Sequence, residues 1–263
     1  MNLSIIIPCY NEEEVLPLIL KRLNTLSIDW TSRDDFTEIE FIFVDDGSQD
    51  RTYDLLTETS KADQRVKVVR FSRNFGHQVA LLAGYELAQG DVIVSLDADL
   101  QDPPELIGSM LDKINEGYDV VYAARKSRGI DSLFKRKTAD IFYWLMKKFG
   151  ANIVPNHADF RMVTRRALNA FLKFHENNLF IRATFPIVGF SSCVVYYDRP
   201  ERLAGETKYP FLKMLEFAIN GITSFSVVPL RICSMVGLLV FLAPLMLFWS
   251  IVSSQNFQIS HRL

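Results

Sequence analysis

The sequence predicts a doubly wound α/β domain followed by a membrane helix, and three observations carry that expectation. Short β-branched runs alternate with amphipathic helical stretches through the first half of the chain. Acidic and polar residues follow several of those runs directly. Near the C-terminus, the 21 residues from Ile232 to Val252 carry no charge.

Taken in order, Leu3–Pro8 reads as a first buried strand. Its apolar run has no basic leader and stops at Pro8, which argues against a signal peptide. A helix is expected over Glu12–Leu26, and the polar, breaker-rich stretch Asp29–Thr37 reads as a loop. Ile39–Val44, Val66–Phe71, Val92–Leu96 and Val120–Ala123 suit buried parallel strands. Helical patterns lie between them at about Asp50–Ser60, His77–Ala88 and Pro104–Asn115. A helix over Ile232–Val252 would span roughly 31 Å, about one hydrocarbon thickness. It is apolar all round, so a water-soluble chain end would leave it uncovered. Pro244 is tolerated in such a span, and Trp249 suits its interfacial end.

Composition excludes some classes and permits others. With 263 residues, 49% of them hydrophobic, the chain can bury a sizeable core. The net charge of −2 gives no global attraction to nucleic acid. Cys9, Cys193 and Cys233 match no metal or disulfide spacing, and reduced thiols fit a cytoplasmic setting. Neither G-x-G-x-x-G nor G-x-x-x-x-G-K occurs, so the usual phosphate loops are missing.

In a doubly wound sheet, ligands bind beyond the carboxyl ends of the strands. After the first strand come Pro8-Cys9-Tyr10-Asn11-Glu12, after the second Asp45-Asp46-Gly47-Ser48, and after the fourth Asp97-Ala98-Asp99-Leu100-Gln101-Asp102. Asp97 and Asp99, two apart, can project to one side, where their mutual repulsion calls for a cation. Mg²⁺ commonly takes one or two carboxylates plus phosphate oxygens. An EF-hand reading fails, because Asp102 and Gly108 stand where that loop needs glycine and glutamate. The bland alternative is a solvated turn capping the next helix. Asp45–Asp50 likewise reads either as an Asx turn with an N-cap or as a carboxylate that meets a base or ribose. His77, His157 and His175 have no i, i+4 partner or carboxylate nearby in sequence and read as structural or surface residues.

Ile6-Ile7-Pro8-Cys9-Tyr10-Asn11-Glu12, Val44-Asp45-Asp46-Gly47-Ser48, Arg73-Asn74-Phe75-Gly76 and Leu96–Glu105 resemble the successive motifs of family 2 glycosyltransferases. Within that family the chain is similar to the polyprenyl-phosphate branch, which includes bactoprenol glucosyltransferases and dolichyl-phosphate mannose synthase. The resemblance implies a GT-A fold, an inverting mechanism, Mg²⁺ or Mn²⁺, a nucleotide-sugar donor and a polyprenyl-phosphate acceptor. Residues 1–198 would form the catalytic domain, 199–231 an active-site loop and interfacial helix region, 232–252 the membrane span and 253–263 a short tail. Pro8, Tyr10, Glu12 and Asp46 match nucleotide-holding positions. Asp97 and Asp99 match the metal-binding pair, with Gln101 close to metal and diphosphate. Asp159, in Ala158-Asp159-Phe160-Arg161, matches an acidic residue near the reacting centre, where it would orient the acceptor or stabilise the donor sugar. Arg125, Arg128, Arg202 and Lys208 match basic residues at the phosphates and in the loop that closes the site.

The donor expected from the resemblance is UDP-glucose; galactose, N-acetylglucosamine and mannose remain alternatives, as does a non-catalytic membrane protein that only binds a nucleotide-sugar. Basic residues before the span place the catalytic domain on the cytoplasmic face of the inner membrane. A homo-oligomer is compatible with this reading. Bacterial members of the branch usually carry a second span, and no such segment follows Val252 here, so oligomer formation and acceptor binding that depend on it have no support in these residues. A processive polysaccharide synthase would carry Q-x-x-R-W, which this sequence lacks.

Overall fold

The computed structural model describes residues 1–32, 35–126, 157–174, 181–198 and 228–260. Seven strands form one sheet in the order β3-β2-β1-β4-β6-β5-β7. They are β1 (Asn2–Cys9), β2 (Glu38–Asp45), β3 (Val66–Arg70), β4 (Val92–Ser95), β5 (Val120–Arg125), β6 (His157–Thr164) and β7 (Ser192–Tyr197). Every neighbouring pair is parallel except those of β6, which runs antiparallel between β4 and β5. The expected strands are all present. The reversed β6 and the edge strand β7 add to them.

Alternation along the strands builds two cores. Ile5, Ile7, Phe41, Phe43, Val94 and Met162 face one side. There they meet α1 (Leu16–Ser32) and α4 (Leu106–Asn115). Ile6, Ile42, Val44, Ile93 and Val163 face the other side. They pack on α3 (His77–Leu87), α5 (Arg165–Phe171) and α6 (Ile181–Val188). Among the described residues the remaining helices are α2 (Thr52–Ala62) and α7 (Val228–Ser260). Helix α3 lies so close to β1 that a Cβ on Gly84 would sit 2.2 Å from Ile6 Cγ2.

Helix α1 departs from the expected Glu12–Leu26. It starts at Leu16, after a turn in which Glu12 O accepts from Val15 N and Leu16 N, and it runs on to Ser32. Leu16, Ile19, Leu23, Ser27 and Trp30 share its buried stripe. Trp30 packs edge-on against Phe36, their ring centroids 6.2 Å apart. Of the expected loop Asp29–Thr37, Asp29–Ser32 are helical, with Trp30 on the buried stripe, while Asp35–Thr37 lie outside the helix.

Helix α7 has 33 residues and includes Pro244. Its described side chains are exposed, among them Leu239 at 65%, Phe241 at 65% and Trp249 at 76%. Among the described residues no helix is long and apolar enough to cross a membrane. The expected interfacial region 199–231 lies mostly outside the described residues, as do Arg128, Arg202 and Lys208.

Candidate active site

Register brings the strand ends together. Cys9 at the end of β1 sits opposite Asp45 at the end of β2. Ile6 sits opposite Ser95, the last residue of β4. The segments after β1, β2 and β4 therefore open on one edge of the sheet, where the sequence places its polar motifs.

The first two motifs interlock through backbone groups. Asn11 adopts a left-handed backbone (φ 55°), with its N–H donating to Ser48 Oγ at 3.0 Å. Glu12 N donates to Thr52 Oγ1. Pro8 is a buried member of β1, and Tyr10 is exposed. Asp46 is 3% exposed, and its carboxylate accepts from Phe75 N at 2.7 Å and Gly76 N at 2.9 Å. The carboxylate thus holds the Arg73–Gly76 turn, a role that its position beside the nucleotide motif does not reveal. Asp45 Oδ1 accepts from Ser48 N, while Oδ2 is buried without a hydrogen-bond partner, 3.5 Å from Arg70 Nε. Gly47 (φ +70°) lies against the same turn, where a Cβ would meet Arg73 C at 2.5 Å. A cleft of about 590 Å³ opens beside it, lined by Tyr10, Ser48, Gln49, Arg70, Arg73 and Asn74, among others.

The acidic loop after β4 is strained. Leu100 has φ 57°, a conformation costly for a bulky side chain and typical of over-determined functional turns. Asp99 Oδ1 accepts from Gln101 N at 3.0 Å, so this carboxylate shapes the loop. Asp97 Oδ1 and Gln101 Oε1 are buried oxygens without hydrogen-bond partners. Burial raises the Asp97 carboxyl to about 6, with Asp102, Asp159 and Asp99 adding repulsion and His77 opposing them. Two orphaned oxygens on a loop rich in negative charge fit a hard divalent cation. Among the described residues no group of three His, Cys, Asp or Glu side chains could hold a metal. Asp97, Asp99 and Gln101 are the residues of this loop that could hold a cation, with phosphate oxygens and water to complete its shell.

Asp159 on β6 lies against this loop and is 2% exposed. Oδ1 accepts from Arg161 Nη2 at 2.5 Å and Arg182 Nε at 3.1 Å. Oδ2 accepts from Arg182 Nη2 at 2.8 Å and Gln78 Nε2 at 3.5 Å. His77 Nε2 stands 3.3 Å from Asp159 Oδ2 and 3.5 Å from Asp97 Oδ1. Burial favours the neutral acid, but Arg182, His77 and Arg161 outweigh it and hold the carboxyl well below its ordinary range. Asp97 and Asp159 raise His77 despite its burial. His77, expected to be a structural or surface residue, stands between these two carboxylates. Its position right after Gly76 was the available signal, although the partners are 20 and 82 residues away in the chain. Arg182 and Gln78 lay outside the motifs. Arg161, two residues from Asp159 on a strand, shares its side.

At the far side of the acidic loop, Tyr197 donates to Asp102 Oδ1. Arg125 Nε lies 3.4 Å from Tyr197 Oη and Arg125 Nη2 3.8 Å from Asp102 Oδ1. Burial and Asp102 push the Tyr197 phenol up. Arg125, 32% exposed, stands at the rim of the acidic loop.

The profile of glycosyl transferase family 2 matches residues 4–174. The chain belongs to glycosyl transferase family 2. Within this family it is 45% identical over 242 residues to the uncharacterized glycosyltransferase YkoT of Bacillus subtilis, covering 91% of this chain and 72% of that one. It is 39% identical over 241 residues to the prophage bactoprenol glucosyl transferase homolog of Escherichia coli, covering 91% and 77%. The bactoprenol glucosyl transferase of Shigella phage SfV is 38% identical over the same length and shares. Among solved structures, glucosyl-3-phosphoglycerate synthase from Mycobacterium tuberculosis in complex with Mn²⁺ and UDP-glucose aligns with a TM-score of 0.55 at 16% identity, covering 85% of this chain and 78% of that one. That likeness supports the family's GT-A-like fold. The chain is a glycosyltransferase with bactoprenol glucosyl transferases among its relatives.

Proposed function

We propose that this glycosyltransferase moves glucose from UDP-glucose to a polyprenyl phosphate, with inversion at C1 and with Mg²⁺ or Mn²⁺ bound at Asp97, Asp99 and Gln101. The observation that carries the reading is the pair of orphaned oxygens, Asp97 Oδ1 and Gln101 Oε1, beside a saturated Asp159. Relatives named for bactoprenol support the acceptor, and the neighbour with Mn²⁺ and UDP-glucose supports the donor and the cation. Such a lipid-linked sugar would serve cell-surface glycan or O-antigen modification. Other hexoses on the same lipid remain the second reading, because among the described residues none distinguishes the sugar.

In the reaction, one oxygen of the acceptor phosphate bonds to C1 of glucose. The bond from C1 to the diphosphate oxygen breaks, and its electron pair leaves with UDP. The acceptor phosphate has a second pKa near 6, so as a dianion it loses no proton in the step. A general base is unnecessary, in keeping with an Asp159 whose oxygens are already occupied. The cation, when bound, would neutralise the departing diphosphate. The protein contributes position: Tyr10 and the turn fixed by Asp46 hold the nucleotide in its cleft, and Arg125 meets phosphate at the rim. Arg128, Arg202 and Lys208 would add charge from segments outside the described residues.

The reading also places α7 in the inner membrane, with the catalytic domain on the cytoplasmic side. Three features support it. The sequence Ile232–Val252 is uncharged. The helix has 33 residues, about 50 Å long. Its described apolar side chains find no cover, which a water-exposed helix would not tolerate.

The test is incubation of the membrane-embedded protein with labelled nucleotide-sugars and undecaprenyl phosphate, with and without Mn²⁺ or EDTA. Label in the lipid fraction from UDP-glucose, abolished by EDTA, is expected. Donor binding without lipid product would overturn the activity, and product from another donor would replace glucose.

A further inference from the structure

We propose that His77 is a positioning residue for the cation site: its Nε2 edge, anchored on Asp159, fixes the Asp97 carboxylate in the orientation that receives the metal. This rests on the reading that a divalent cation binds at Asp97, Asp99 and Gln101, and it adds a group from outside the acidic loop. One imidazole nitrogen carries the inference, standing 3.3 Å from Asp159 Oδ2 and 3.5 Å from Asp97 Oδ1. A ring nitrogen between two carboxylate oxygens bears its hydrogen, because a lone pair there would meet only acceptors.

The two carboxylates differ as partners. Asp159 is held from several sides, by Arg161, Arg182 and Gln78 as well as by His77. It is a fixed post. Asp97 Oδ1, in contrast, is buried and makes no hydrogen bond. At 3.5 Å the imidazole leans on this oxygen without satisfying it. The carboxylate is steered while its lone pairs stay available to a cation. Steering is needed because Asp102, Asp159 and Asp99 all repel Asp97, and His77 opposes them. With no donor edge in that place, two buried like charges would face each other and Asp97 would turn away from Asp159.

The imidazole is itself placed before any ligand arrives. Gly76 enters α3 at φ 100°, and its N–H donates to Asp46 Oδ2. On the other side Gln78 spans to α6, its Oε1 accepting from Ile181 N at 3.1 Å. His77 thus sits between two anchored neighbours on the first turn of α3. Groups that orient a metal ligand without touching the metal typically change metal affinity 10–100-fold when they are removed. The role asks for an N–H at the reach of Nε2 and for no change of protonation, so an uncharged amide of the right length can fill it.

The experiment compares His77→Gln with His77→Asn. Glutamine carries its amide N–H as far from the backbone as Nε2, asparagine only as far as Nδ1, and neither side chain titrates or bears a charge. Mn²⁺ affinity in the presence of UDP is read by electron paramagnetic resonance, with UDP affinity in the absence of cation and melting temperature recorded on the same samples. His77→Asn is expected to bind Mn²⁺ at least tenfold more weakly than His77→Gln, while cation-free UDP affinity stays within twofold of wild type in both. Where the asparagine variant does not fold, His77→Ala takes its place with the same expectation. Equal Mn²⁺ affinity in the long and the short variant overturns the assignment, whether both match the wild type or both fall below it, since reach then decides nothing. A parallel loss of cation-free UDP affinity in the short variant overturns it as well, because the damage would then lie in the turn before α3. A wild-type chain that binds no Mn²⁺ with UDP brings down the cation reading and this inference together; a wild type that binds it beside variants that do not differ brings down the role of His77 alone.

Discussion

Replacing Asp46 with asparagine separates two roles that its position in the sequence allows. In the structure this buried carboxylate takes one hydrogen bond on each oxygen, from Phe75 N and Gly76 N. Asparagine keeps one acceptor and turns an NH₂ group toward the other amide. One charge-assisted bond, roughly 1.5–3 kcal/mol, is lost, and the abandoned N–H adds part of its desolvation penalty. A total near 3 kcal/mol is expected. For a domain of 150–250 residues each kcal/mol lowers Tm by about 2–4 °C, so Asp46→Asn should melt roughly 6–12 °C below wild type. Thermal unfolding without nucleotide, followed by tryptophan fluorescence in detergent, measures it, with UDP-glucose titration as the second readout. A melting point within 2 °C of wild type, combined with a large loss of donor affinity, would refute the structural role and return Asp46 to direct nucleotide contact.

Three other perturbations test the remaining geometry. Gly47→Ala places a Cβ against the Arg73 backbone in a left-handed conformation, which costs roughly 1–2 kcal/mol before any shift of the turn; a urea-unfolding free energy unchanged to within 0.5 kcal/mol would contradict the packing. Asp97→Asn should remove Mn²⁺ binding, read by electron paramagnetic resonance. In the wild type Asp97 is raised to about 6, so protons compete with the cation below that pH; Mn²⁺ affinity should fall by up to tenfold per unit below pH 6 and level off above it. The same sign makes the contribution of Asp97 to cation-free stability decline as pH rises from about 4 to 6, since the fold favours its neutral form. Tyr197→Phe leaves Asp102 without its phenolic donor and takes the hydroxyl from beside Arg125 Nε, and it should raise donor KM several-fold with a drop in Tm of a few degrees; an effect on neither would remove Tyr197 from the site's support.

Much of the architecture was legible in the chain. Each strand from β1 to β5 coincides with a β-branched run, because a buried strand must present apolar residues on both faces and the pattern is local. The acidic loop was legible for a similar reason: polar residues directly after an apolar strand end up at the sheet edge wherever the strand goes. The surroundings of Asp159 were not. Its partners His77, Gln78, Arg161 and Arg182 come from α3, β6 and α6, and an ionic cluster has no period or spacing in sequence. Asp46 shows the same limit within a motif, since nothing local distinguishes a carboxylate that binds a ligand from one that caps a distant turn.

What the sequence determined alone is the kind of sheet, the edge at which chemistry gathers and the family to which the chain belongs, since all three depend on neighbours along the chain. Tertiary structure decided the reversed strand β6 and, through it, the position of Asp159 between two arginines and a histidine. The physical reason is that burial leaves a carboxylate charged only when cations converge on it from several elements, and that convergence exists only once the sheet has closed its order.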